Sequence, residues 1–347
     1  MDLAIVWALI IFFAVYMYVV ADGFDLGIGL LFPFFTSREE RDAMMNTVAP
    51  VWDGNETWLV LGGAGLLAAF PLAYSIILTA LFLPLSLMLL GLIFRGVAFE
   101  FRFKAVGWER PVWDAAFIGG SVLAAFCQGV VLGAYLDGIK VAGTVYVGGA
   151  FDWFAPFPLF CGLGVLIAYT LLGSAWLIMK TTGPLQQRML GIAHIAALAL
   201  AAALAVVSAW TPMRQPQVAA RWFSLPNLLW LAPVPLLVAA CLWWLLHELD
   251  TLVRSHAGAG PPARRPRQYP VFLAALGLVF LAYCGMAISI WPNIVPPTVS
   301  IWTAAAPPQS QRFTLVGTLL ILPFILGYTA WSYHVFRGKV ELGEGYH

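Results

Sequence analysis

Four carboxylates stand where an apolar chain should not hold them. Asp22 and Asp25 lie in Ala21-Asp-Gly-Phe-Asp-Leu-Gly-Ile-Gly29, inside the first long apolar run. An Asp at the centre of a membrane helix costs about 2.5–3.5 kcal/mol on insertion scales, so its default reading is functional. The i,i+3 spacing puts both on one helix face. Two carboxyl groups this close repel when both are charged, and burial disfavours charge as well, which suits a proton carrier. The competing reading is structural. The acids would satisfy polar groups of a packed partner helix, which Gly23, Gly27 and Gly29 allow to approach closely. With the helix ending near Phe32, the rise per residue sets Asp25 roughly 10 Å and Asp22 roughly 15 Å from that end.

Asp53 and Glu56 fall in Pro50-Val-Trp-Asp-Gly-Asn-Glu-Thr-Trp58, at the start of the second apolar run. Their spacing is that of a helix cap and its third residue. Asp53 could cap the helix while Glu56 returns a bond to the Asp53 amide. A cap at a membrane surface can also be the mouth of a proton route. Arg95-Gly-Val-Ala-Phe-Glu-Phe-Arg102 offers Arg95, Glu100 and Arg102 as ion-pair partners, or as side chains that snorkel to lipid headgroups. Trp52 and Trp58 suit an interfacial belt. Other chemistries find less. Cys127, Cys161, Cys241 and Cys284 sit in apolar stretches without metal spacing. No two histidines share a helix face for axial haem ligation. His194 is expected to be hydrogen-bonded rather than a ligand, and no phosphate loop or nucleophile triad is visible.

The elements that must position these groups follow from composition. Of 347 residues, 10% are charged and 61% hydrophobic, with a formal net charge of +1 and a mean hydropathy of +0.86. Soluble domains carry about 25% charged residues. A soluble enzyme, a disordered chain and a nucleic-acid reader with its basic patch are thereby excluded. Apolar runs predict nine membrane helices, near 3–32, 54–72, 75–94, 113–136, 157–179, 189–210, 227–247, 271–290 and 314–336. The first lacks a basic leader and is too long for a cleaved signal. Phe70-Pro71 separates the second from the third. Nine crossings put the termini on opposite sides. With the N-terminus outside, fourteen of the 18 Lys and Arg residues, Arg95 included, fall on the cytoplasmic side. Lys140, Arg214, Arg221 and Arg312 face out, the sense that the positive-inside rule prefers. The fold class is an all-α integral membrane protein, one polytopic domain over 1–347, with a cytoplasmic C-terminus. Every acid cluster then lies in the cytoplasmic half, and Gly260–Arg267 is a basic loop on that side. From the residues alone the chain is a proton-handling subunit or a transporter.

The acid-bearing segments resemble subunit II of the cytochrome bd-type quinol oxidases. The resemblance rests on Ala21–Gly29, Ala49–Leu59, Ala68–Tyr74, Phe94–Arg102, Trp291–Pro297 and Tyr328–Trp331, and is closest over the first hundred residues. It implies two four-helix bundles, 1–137 and 138–290, with a ninth helix and tail over 291–347. It implies a bacterial inner-membrane subunit of an enzyme that oxidises quinol and reduces dioxygen to water. Haems of b and d type would belong to the partner, subunit I, with none in this chain. A structural quinone and small accessory membrane subunits occur in some members. The resemblance further implies a cytoplasmic proton pathway through Asp53, with Asp22 and Asp25 matching the first-helix acids, and Trp58 beside an oxygen path. Thr303 stands where several members carry an acid, and the outer loops are shorter than in some. The subtype is left open, a cyanide-insensitive branch included. The alternative is a stand-alone proton-coupled transporter using the Asp22/Asp25 pair.

Overall fold

The computed structural model describes residues 2–256 and 267–340. The expected loop cations Arg264 and Arg265 and the terminal His347 lie outside the described residues. Fourteen helices follow in order among them: α1 Leu3–Leu31, α2 Arg38–Asn46, α3 Trp52–Ala69, α4 Pro71–Ala80, α5 Phe82–Arg102, α6 Glu109–Asp137, α7 Pro156–Lys180, α8 Gly183–Arg214, α9 Pro216–Phe223, α10 Asn227–Leu231, α11 Pro233–His256, α12 Tyr269–Ile290, α13 Ile301–Ala304 and α14 Pro308–Val335. Two small antiparallel hairpins join them, β1 (Val141–Ala142) with β2 (Val145–Tyr146), and β3 (Asn293–Val295) with β4 (Val299–Ser300).

Eight helices among the described residues are long and apolar enough to cross a bilayer: α1, α5, α6, α7, α8, the α10–α11 run, α12 and α14. Helix α3 is set apart by Asp53, Asn55 and Glu56 in its first turns. The expected third span, 75–94, is corrected. The short helix α4 takes up residues 71–80, so the span begins at Phe82. At 1.5 Å per residue it needs its 21 residues, through Arg102, to cover about 30 Å. Arg95 therefore lies inside a membrane helix, not in the loop after it. The sixth expected span also lengthens, from 189–210 to Gly183–Arg214.

Helix α1 is central, with α3, α6 and α7 packed around it. Close approach sets its place: a Cβ on Gly27 would lie 2.0 Å from the Tyr169 carbonyl oxygen of α7, and one on Gly29 2.1 Å from Ser121 Oγ of α6. The sequence expectation for these glycines is met. The Phe24 ring stacks on Trp176 at 4.3 Å in the core between α1 and α7. Helix α14 touches α3 and α1 and leaves most of its surface exposed.

The two ends differ in charge. At the end where α1 begins, Asp2 caps that helix and accepts a bond from Trp302 Nε1 at 2.7 Å. At the opposite end the fully buried Arg102 pairs with Asp42 at 2.6 Å and with Asp114. Arg110 also reaches Asp42, and Arg41 reaches Asp114 at 2.8 Å. Lys180 Nζ donates to the Phe336 and Gly338 carbonyls, and Lys339 Nζ to Thr181 O at 2.7 Å. These bonds fasten the chain after α14 to the α7–α8 turn, and loss of water around the Lys339 ammonium lowers its pKa.

Candidate functional site

The site is an ion cluster inside the helix packing. Arg95 of α5 is fully buried, and its Nη2 lies 2.7 Å from Asp22 Oδ1 of α1. The same nitrogen pairs with Glu56 of α3. Asp22 is as buried as Arg95, whereas the Glu56 side chain keeps 27% of its surface exposed. Glu56 is thus the least buried acid of this ion-pair cluster.

Asp25 is held differently. Its Oδ2 accepts from Asn55 Nδ2 of α3 at 2.7 Å. Asn55 Nδ2 also lies 3.3 Å from Ala21 O, and Asn55 Oδ1 accepts from Tyr333 OH of α14 at 2.8 Å. On the other side of Asp22, Tyr169 OH of α7 donates to Gln128 Oε1 of α6, and Gln128 Nε2 donates to Tyr18 OH of α1, both at 2.6 Å.

Three carboxyl groups, Asp22, Asp25 and Glu56, thus gather near one guanidinium, which pairs with Asp22 and Glu56 but not with Asp25. Buried polar atoms are nearly always bonded, yet Asp22 Oδ2, Asp25 Oδ1 and Arg95 Nε and Nη1 have no hydrogen-bond partner among the described residues. A buried group of this kind, with excess carboxylate and free lone pairs, is chemically fit to hold and pass a proton.

The structure brings Asp22, Asp25, Glu56 and Arg95 together and leaves the other expected residues apart. Asp53 is exposed in the first turn of α3. The expected capping box is corrected: Val51 is the cap residue, without a side-chain bond, because the helix begins at Trp52 and Asp53 is already inside it. Glu56 pairs with Arg95 instead of returning to the backbone. Glu100 is exposed and forms no ion pair among the described residues. Arg102 belongs to the Asp42/Asp114 network. Trp58 is fully buried, edge-on to Phe13 at 5.7 Å, and so is no interfacial anchor. Trp52 stacks on Phe99 at 4.9 Å. Sequence reasoning missed Asn55, Tyr333, Tyr18, Gln128 and Tyr169. Gln128, the one amide in an apolar stretch of α6, was the available signal.

The histidines are engaged separately. His194 Nδ1 sits 3.9 Å from Asp250 Oδ1, His247 stacks on Trp243 at 5.5 Å, and His256 contacts Leu252 O and Gln186. Among the described residues no group of three or more His, Cys, Asp or Glu could hold a metal.

The model of the family described as cytochrome bd terminal oxidase subunit II matches residues 3–336. The chain is 28% identical to a probable cytochrome oxidase subunit 2 of Haemophilus influenzae, covering 98% of this chain and 95% of that one. It is 27% identical to the cytochrome bd ubiquinol oxidase subunit 2 of Bacillus subtilis, covering 93% and 92%. It is 26% identical to the cytochrome bd-I ubiquinol oxidase subunit 2 of Escherichia coli, covering 97% and 95%. The solved bd oxidase of Geobacillus thermodenitrificans contains a chain of similar fold, with a TM-score of 0.78 at 15% identity over 97% of this chain and 99% of that one.

Proposed function

The chain belongs to the cytochrome bd terminal oxidase subunit II family, and from that premise we propose that it is the haem-free subunit of a quinol:dioxygen oxidoreductase. It works as a multi-pass protein of the bacterial inner membrane beside a haem-bearing subunit I. Haem in subunit I supplies the electron and dioxygen chemistry. This chain supports assembly of that subunit and brings protons to it from the cytoplasm. Reduction of one dioxygen to two waters consumes four protons, and drawing them from one side builds a gradient.

The observation that carries this reading is the buried Asp22–Arg95–Glu56 cluster with Asp25 beside it, in which Glu56 is the least buried member. Asp53 stands in the turn of α3 that opens toward the basic end. We place that end in the cytoplasm, with Arg38, Arg41, Arg102 and Arg110 gathered there. Protons arrive at Asp53 and Glu56 and pass inward to Asp22 and Asp25. Helix α3 is read as the ninth crossing. Its exposed residues Asp53, Thr57, Val60, Ala64 and Leu67 form one stripe at helical spacing. A carboxylate facing lipid is costly, so subunit I is the cover that this stripe requires. The transporter reading has no support in the family or the fold.

The test is Asp53→Asn in the assembled enzyme, with haem content, oxygen consumption and proton uptake measured together. The expected result is intact haem with slowed turnover and uptake. Normal turnover and uptake with intact haem would remove Asp53 from the route.

A further inference from the structure

Of the three carboxylates in the cluster, Asp25 is the one that no cation among the described residues touches within 4.0 Å. Asp22 and Glu56 both pair with Arg95. Asp25 receives a single neutral donor, Asn55 Nδ2 at 2.7 Å, on Oδ2. Its Oδ1 is buried without a hydrogen-bond partner among the described residues. The two oxygens are therefore inequivalent.

The orientation of the Asn55 amide creates that inequivalence. An amide offers donors on one side and an acceptor on the other. Asp25 Oδ2 and Ala21 O both accept, which turns Nδ2 toward them and leaves Asn55 Oδ1 for the α14 side, where Tyr333 OH donates to it at 2.8 Å and braces the amide. Without the phenol, Asn55 loses the donor that braces its Oδ1, and the amide is freer to shift against Asp25. The Tyr333 ring is fixed independently, edge-on to Trp176 at 6.0 Å and to Phe24 at 6.4 Å. Asn55 is itself almost fully buried.

We propose that Tyr333 and Asn55 are positioning residues for Asp25: they occupy its Oδ2 and leave Oδ1 as the atom that takes up and releases the proton. The inference rests on the proton-route reading above. One O–H bond forms at Oδ1 as a proton arrives from the Glu56 side and breaks as it leaves toward subunit I, and no electrons move at Asp25. The charged and titratable groups around it are Asp22 on its own helix, Glu56 from α3, Arg95 from α5, Tyr169 from α7 and Tyr333 from α14. Helix α14, joined to the rest of the chain over a small surface, thereby has a direct hold on the buried acid.

The experiment uses the assembled complex and compares Tyr333→Phe, Asn55→Ala and Asp25→Asn. The readouts are haem content, kcat and KM for quinol, and the carboxyl C=O band in the redox-difference infrared spectrum. Asp25→Asn is expected to lose the band and most turnover. Tyr333→Phe keeps the ring packing, so haem content is expected to stay intact and the band to shift in frequency. The kcat is expected to fall about three- to tenfold, the weight of one hydrogen bond, with KM unchanged. Asn55→Ala removes the same donor without altering α14 and should shift the same band, which covers the case of a Tyr333 variant that does not assemble. Wild-type band and kcat in both relay variants, with Asp25→Asn impaired, would overturn the positioning role and leave the proton route standing. Normal turnover in Asp25→Asn would overturn the route itself.

Discussion

Replacing Arg95 by Met tests whether the ion cluster is a coupled unit. Arg95 is fully buried and serves two carboxylates. Removing one partner of a buried pair costs about 3–5 kcal/mol, because the remaining charge is stranded. Glu56 has room to turn away, since 27% of its side chain is exposed, but Asp22 is buried and does not. The penalty therefore concentrates on Asp22, and Asp22→Asn should relieve it in the Arg95→Met background. For a chain of this size the melting temperature moves about 2 °C per kcal/mol. The single Arg95→Met variant should thus lose about 6–10 °C, and the Arg95→Met/Asp22→Asn double variant should regain about half of that loss or more. The assay is the temperature at which the purified complex loses its haem absorbance, read at one fixed scan rate because such unfolding is irreversible. A double variant that melts at the sum of the two single losses would show no coupling between Arg95 and Asp22, and the cluster reasoning would fail with it.

Other expectations follow from the same geometry. Arg102→Met should destabilise less than Arg95→Met, since Asp42 keeps Arg110 and Asp114 keeps Arg41; equal losses on the same melting assay would contradict this. Gly27→Val should block folding of the chain, because its Cβ would sit 2.0 Å from the Tyr169 carbonyl, while Gly164→Ala, with open space at its Cβ, should assemble normally, as read by yield of haem-loaded complex. Asp2 has a pKa below the ordinary carboxylate value, chiefly through its bond from Trp302. Its tether is therefore fully present above about pH 4, the value of a free carboxylate, and is lost as pH falls through the depressed value. The fluorine resonance of a 5-fluorotryptophan at Trp302 should move over that acid range, and an unmoved resonance would count against the tether.

Much of the site was legible in the sequence, because a carboxylate in an apolar run has few structural excuses. Asp22, Asp25 and Glu56 stand together, and the suggested pairing of Arg95 with a first-helix acid is realised at 2.7 Å. The partners were harder. Asn55 and Tyr333 are 278 residues apart in the chain, and neither residue type is unusual enough to signal a contact that only packing creates. The helix count came from apolar runs, which locate α1, α6 and α7 well. The same runs blurred residues 57–94, where no charge marks the ends and α4 intervenes. That blur put Arg95 outside its helix. Capping logic failed at Asp53 for a related reason: the spacing fits a capping box, but the helix begins two residues earlier, with Val51 as its cap, and a buried guanidinium draws Glu56 away.

The glycines and the acids of α1 are one device. Gly27 of α1 faces Gly173 of α7 so closely that a side chain on either would strike backbone, and a Cβ on Gly29 would strike the Ser121 side chain of α6. A slide of α1 by one residue shifts it about 1.5 Å and turns it by about 100°, which would carry Asp22 away from Arg95 and Asp25 away from Asn55. The 2.7 Å contacts of both acids therefore depend on a register that the glycines impose. In the sequence, Ala21–Gly29 offered close packing and a paired-acid site as alternatives. In the structure the packing and the acid cluster are two faces of one helix, in which close packing on α7 and α6 aims the carboxylates at α5 and α3.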